Sequence, residues 1–237
     1  MYCGQFGHTS CGLSHAFPTV FRRNYACFYT SLSTALEWGM NYLAHIYLAR
    51  HSEAAMVGAM LGDFVKANGG DHYAPEIANE IALHRFIDSF TDSHPVVTEA
   101  RSLFTEGRRR YAGIVLDVFY DHILSQRWDE YCEEPRAELI ERFYGALAAH
   151  EGQLPERLRE ILPKLIKQDW LGAYGDFSGV ELALTRMSDR LSRNGHLLRE
   201  GIGEVQQHYE AIAAGFDRFF PELVKFTYQR RRQFSVA

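Results

Sequence analysis

From residue 40 onward the chain repeats one pattern, apolar residues three and four positions apart in one segment after another. "EAAMVGAMLGDFVKA", "PEIANEIALHRFIDSFTD", "YAGIVLDVFYDHILSQRWDEY", "ERLREILPKLIKQDWLGAY" and "GIGEVQQHYEAIAAGFDRFF" all carry it, and this spacing puts a continuous apolar stripe on one face of a helix. Pro75, Pro95, Pro135, Pro155 and Pro221 fall at or near segment boundaries, where a missing N–H costs least. Pro163 lies inside a segment and is predicted to kink or split it. Strand-like alternation bounded by hairpin dipeptides is absent, so the pattern predicts an all-α, single-domain helical bundle. A chain of 237 residues is long enough to bury one real core.

Residues 1–39 differ. They hold one acid, Glu37, and two bases, Arg22 and Arg23, with no helix or strand period. Neither the basic start nor the apolar block of a secretory signal is present. The predicted organisation is a disordered upstream extension over 1–39 and a helical domain over 40–237. Codons for the preceding "LEWG" can place a purine-rich GGAG just before the ATG of Met40, a pattern that resembles a bacterial ribosome-binding site. The alternative is a genuine N-terminal arm.

The net charge of −5 gives no global sign of nucleic-acid binding. No apolar run approaches the roughly 20 residues that span a bilayer. Cys3, Cys11 and Cys27 lie in the first 39 residues and only Cys132 beyond, which is no disulfide framework and favours the cytoplasm.

Within the apolar segments sit polar residues that a core does not accept unaided, because burying an ionised carboxylate costs several kcal/mol without compensation. His84, Asp88 and Asp92 are spaced i, i+4, i+8, about 40° apart per step round a helix, and form one ladder. Asp117 and Asp121 repeat the i, i+4 spacing inside "LDVFYDHIL", with His122 alongside. Like charges one turn apart repel unless a cation lies between them. Asp63 in "MLGDFVK" and His45 in "NYLAHIYLA" have similarly apolar surroundings. Caps, a salt-bridged face, or arginines of the run Arg108, Arg109 and Arg110 folded back onto the aspartates would be structural solutions. A functional solution is a metal ion held between facing helices. The set His45, Asp63, His84, Asp88, Asp121 and His122 is nitrogen and oxygen without thiolate. It suits Mn2+, Mg2+ or Fe2+, with zinc also compatible, and phosphoester hydrolysis is the matching reaction class.

Four stretches, "MNYLAHIYLA" (40–49), "GAMLGDFVK" (58–66), "LHRFIDSFTDSHP" (83–95) and "RRYAGIVLDVFYDHILSQRW" (109–128), resemble the acyl carrier protein phosphodiesterase family in the same order. The resemblance covers essentially all of residues 40–237. It implies a cytoplasmic, manganese-dependent hydrolase that releases 4'-phosphopantetheine from a serine of holo acyl carrier protein. It also implies a distant kinship to the HD phosphohydrolases and a variant of their helical fold. The motif positions carried over are Asp63, His84, Asp88, Asp121 and His122, with His45 in the opening motif. The neighbour pair here reads Asp121-His122 and comes last, so ligand roles do not transfer from the HD proteins.

Chemistry assigns the roles instead. Asp63, His84, Asp121 and His122 are the expected metal ligands. Asp88 completes the shell or orients His84, and His45 protonates the leaving oxygen or supports the site. Asp92 and Asp117 stand behind them. Arg108 and Arg109, and a stripe of Arg186, Arg190 and Arg193, are expected to dock the acidic carrier or the diester phosphate. A generic metal phosphohydrolase acting on nucleotides or small diesters, and a non-catalytic carrier-binding module, are the alternatives.

Overall fold

The computed structural model describes residues 42–66 and 69–234. The readings for residues 1–39 lie outside the described residues. The described part is all-α, with no strand among the described residues. Its helices are α1 (Tyr42–Leu48), α2 (Glu53–Leu61), α3 (Pro75–Ser93), α4 (Pro95–Ser102), α5 (Ala112–Gln126), α6 (Trp128–Tyr131), α7 (Arg136–Ala149), α8 (Glu156–Lys167), α9 (Phe177–Arg190), α10 (Gly195–Gln207) and α11 (Tyr209–Phe234). None of them is long and apolar enough to cross a membrane.

Local signals set many of the boundaries. Ser52 caps α2, its hydroxyl accepting from Ala55 N–H at 3.0 Å. Pro75 and Pro95 stand in the first turns of α3 and α4, where the fixed φ of proline suits the helix and no N–H partner is lost. Pro221 departs from its expected boundary position and lies inside the 26-residue α11. Pro163 lies inside an unbroken α8. Each removes one helical hydrogen bond, and packing offsets the loss. Around Pro221 the side chains of Phe216, Phe219, Phe220 and Leu223 are buried, and Phe216 stacks on Phe220 with centroids 4.8 Å apart.

α2 lies along α3, α1 packs on α2 and α5, and α11 spans α3, α4 and α5. The position of α1 is the one that matters for the site. It has only 7 residues, all buried, too few to be stable alone. Its end is tied to α11, where Arg231 donates to the Leu48 carbonyl at 2.9 Å and to both carboxylate oxygens of Glu80 on α3. Glu80 is 5% exposed, so removing its partner strands a charge in the interior. Arg231→Ala is predicted to lower the unfolding free energy by about 3 kcal/mol. The expected readout is a lower urea midpoint at unchanged slope.

Candidate metal centre

α3 presents the His84 and Asp88 ladder, as its spacing predicts, against α1 on one side and the end of α2 on the other. The His84 ring is 3% exposed. Its Nδ1–H donates to the Ala59 carbonyl at 2.8 Å, which fixes the tautomer and turns Nε2 toward the carboxylates. Nε2 lies 3.1 Å from Asp63 Oδ1 and 3.3 Å from Asp88 Oδ2. His45, on α1, stacks on His84 with centroids 3.9 Å apart and planes 17° from parallel, and its Nε2 is 3.1 Å from Asp88 Oδ1. One carboxylate therefore spans two imidazoles. The ligand atoms of His45, His84 and Asp88 all lie within 4.8 Å of one another.

The electrostatics of this group fit a cation. Burial and the neighbouring His84 push the His45 pKa down against the pull of Asp88, which leaves that ring neutral, and its Nδ1 is buried without a hydrogen-bond partner. Burial alone would also lower His84, but the charges and hydrogen bonds of Asp88 and Asp63 carry it well above 6.5. Burial opposes ionisation of Asp88, yet the two imidazoles hold it well below the usual carboxylate range. The His84 Nε2 proton thus sits between two carboxylates, where a divalent ion would take its place. The imidazoles form the buried floor. Asp88, 37% exposed, and Asp63, 21% exposed, form the side open to solvent.

More acid surrounds that opening. Asp92, one turn beyond Asp88, pairs with Arg101 of α4. Burial, then the charges of Asp92 and Asp88, push the Asp117 carboxyl well up, with Arg101 opposing. Arg101, not an arginine of the run Arg108, Arg109 and Arg110, is thus the base that faces these aspartates. Nothing in its spacing announces this, because the contact crosses the turn between α3 and α4.

Asp121 has a different setting from the one its motif suggests. Its oxygens accept from Leu43 N–H and Ala44 N–H, each at 2.9 Å, so this fully buried carboxylate holds the N-terminal end of α1, where a helix leaves donors unpaired. His122 points elsewhere again. Its Nδ1–H donates to the Tyr174 carbonyl at 2.9 Å, its Nε2 lies 3.4 Å from the Tyr209 hydroxyl, and Phe119 and Phe177 flank its ring. Adjacent helical residues diverge by about 100°, and here they serve different neighbours.

The arginines also separate. Arg108 is held by Glu200 at 2.9 Å and Glu204 at 2.8 Å, and Arg109 reaches the Ser102 and Phe104 carbonyls. Arg186 and Arg190 border a cavity of about 200 Å³ with Tyr42, Trp170, Leu182 and Met187. Arg193 lies past the end of α9, which is capped at Leu191, so the three arginines do not form one helical stripe.

These features define an all-α protein with a candidate His and Asp metal centre at the junction of three helices. Comparison with known proteins places that chain in a family. The family model described as "Acyl carrier protein phosphodiesterase" matches residues 40–223. Proteins of that name from Photorhabdus laumondii subsp. laumondii and Salmonella agona are 34% and 33% identical to it. The alignments cover 78% of this chain in both cases, and 94% and 96% of the respective relatives. The chain belongs to the acyl carrier protein phosphodiesterase family. No solved structure matches it, so the expected likeness to a variant HD fold gains no structural counterpart.

Two predictions follow from the geometry. His84 keeps its proton at neutral pH and stabilises the metal-free fold fully below 6.5, losing that contribution as pH rises through its raised value. Binding of Mn2+ at pH 7 is therefore expected to release roughly one proton. Calorimetry in buffers of different ionisation enthalpy reads this number, and an enthalpy independent of buffer would contradict it. Asp121→Ala leaves the Leu43 and Ala44 donors buried and unpaired. A loss of about 2 kcal/mol in chemical unfolding is expected.

Proposed function

We propose that this protein hydrolyses the phosphodiester between 4'-phosphopantetheine and a serine of holo acyl carrier protein, giving the apo carrier, in the cytoplasm. The observation that carries the reading is the Asp88 carboxylate spanning two stacked imidazoles beside Asp63, in a chain that belongs to this family.

His84, Asp88 and Asp63 are the residues that would hold the ion, with His45 beside them. Manganese fits this donor set, and magnesium or iron would also suit it. When bound, a hard divalent ion supplies charge neutralisation for phosphate oxygens and a water of lowered pKa. The chain's own groups do the rest. Ala59 fixes the His84 tautomer, Asp88 orients both imidazoles, and His45, neutral and buried, supports the site from behind rather than supplying a proton. Asp121 acts on the site through α1, which carries His45. Asp92, paired with Arg101, adds acid beside the opening, while the buried Asp117 carboxyl, pushed well up, adds little charge of its own. His122 belongs to the aromatic packing against α11 in this reading. Arg186 and Arg190, which border one cavity, and Arg193 beyond the end of α9 are the docking candidates for an acidic carrier.

The direct test incubates the purified protein with holo carrier protein and Mn2+ and follows the carrier by mass spectrometry. The apo mass should appear with Mn2+ and not with chelator. Binding without mass loss would reduce the protein to a carrier-binding module. Equal cleavage of small diesters would make it a general phosphohydrolase. If charge guides docking, kcat/KM falls steeply with added salt, whereas a salt-independent kcat/KM would remove the arginines from the account.

A further inference from the structure

Gly62 ends α2 in ordinary right-handed backbone, φ −51° and ψ −37°, so conformation does not demand glycine there. Space does. A methyl group on its Cα would lie 2.5 Å from His84 Cβ and 2.6 Å from His84 Cδ2, and nearer still to Cγ. Carbon atoms in contact prefer about 3.5–4.0 Å.

The ring has no room to yield. It is stacked on His45, pinned at Nδ1 by the Ala59 carbonyl and held at Nε2 by Asp63 and Asp88. We propose that Gly62 is a positioning residue, the seat on which the His84 imidazole lies. Any side chain at this position displaces Nε2 from the two carboxylates. The seat and one of the carboxylates come from the dipeptide Gly62-Asp63, so the end of α2 sets both the place of the ring and one of its anionic neighbours. The effect on metal affinity rests on the reading that His84, Asp63 and Asp88 hold the ion, whereas the steric claim does not.

Gly58 supplies the control. It lies one turn earlier, and a methyl group there would meet the Ile77 carbonyl oxygen at 2.6 Å and Glu80 Cβ at 2.8 Å. It thus crowds the same helix pair away from His84.

The experiment compares Gly62→Ala, Gly58→Ala, His84→Ala and the double variant Gly62→Ala/His84→Ala. Mn2+ affinity is measured by calorimetry and Tm is measured without metal. Gly62→Ala is expected to weaken Mn2+ binding by tenfold or more, the range for losing a group that orients a ligand, while Gly58→Ala lowers Tm and weakens Mn2+ binding less. In the metal-free cycle the Tm loss from Gly62→Ala should largely vanish once His84 is alanine, because the clash has lost its partner. Wild-type affinity in Gly62→Ala, or Tm losses that simply add, would overturn the proposal. If Gly62→Ala does not fold, recovery of folding in the double variant supports the seat, and failure of the double variant overturns it. If the wild-type protein itself takes no Mn2+, the metal reading falls, and the Tm cycle still decides the role of Gly62.

Discussion

Two buried imidazoles stacked face to face share one anion, Asp88, and of the two His84 carries the proton while His45 stays neutral. The two Asp88 oxygens reach His45 and His84 separately, and the burial of both rings keeps water from screening the arrangement. α1, α2 and α3 converge where these groups meet. α3 provides His84 and Asp88, the end of α2 provides Asp63 and the carbonyl of Ala59, and α1 provides His45.

The short α1 is the element least able to hold itself, and side chains from other helices clamp it at both ends. Asp121 accepts its first free amides, and Arg231 takes the Leu48 carbonyl while paired with Glu80. His45 therefore depends on residues from α3, α5 and α11. Separations of 77 and 78 residues between Asp121 and its partners show how far along the chain the site's support reaches.

Much of this was legible in the sequence. The three- and four-residue period marks the helices, because one face of each is buried. The spacing of His84 and Asp88 predicts two groups on one face, and Asp63 and His45 stand out as polar residues in apolar surroundings. What could not be read was convergence. Asp121 looks like a ligand because it is a buried acid, yet unpaired helix amides also give a buried carboxyl group partners, and only the tertiary placement of α1 separates the two. The divergence of His122 from Asp121 follows from helix geometry alone and was available. Arg101 and Gly62 gave no signal, since a cross-turn ion pair and an absent side chain leave no periodic trace.

Mn2+ binding to His84→Ala compared with His122→Ala tests the central claim most directly, since both histidines are buried and lie on different helices. If the centre is built from His45, Asp63, His84 and Asp88, His84→Ala loses Mn2+ binding in calorimetry and His122→Ala retains it. Retained binding in His84→Ala together with loss in His122→Ala would contradict the account and move the centre to α5.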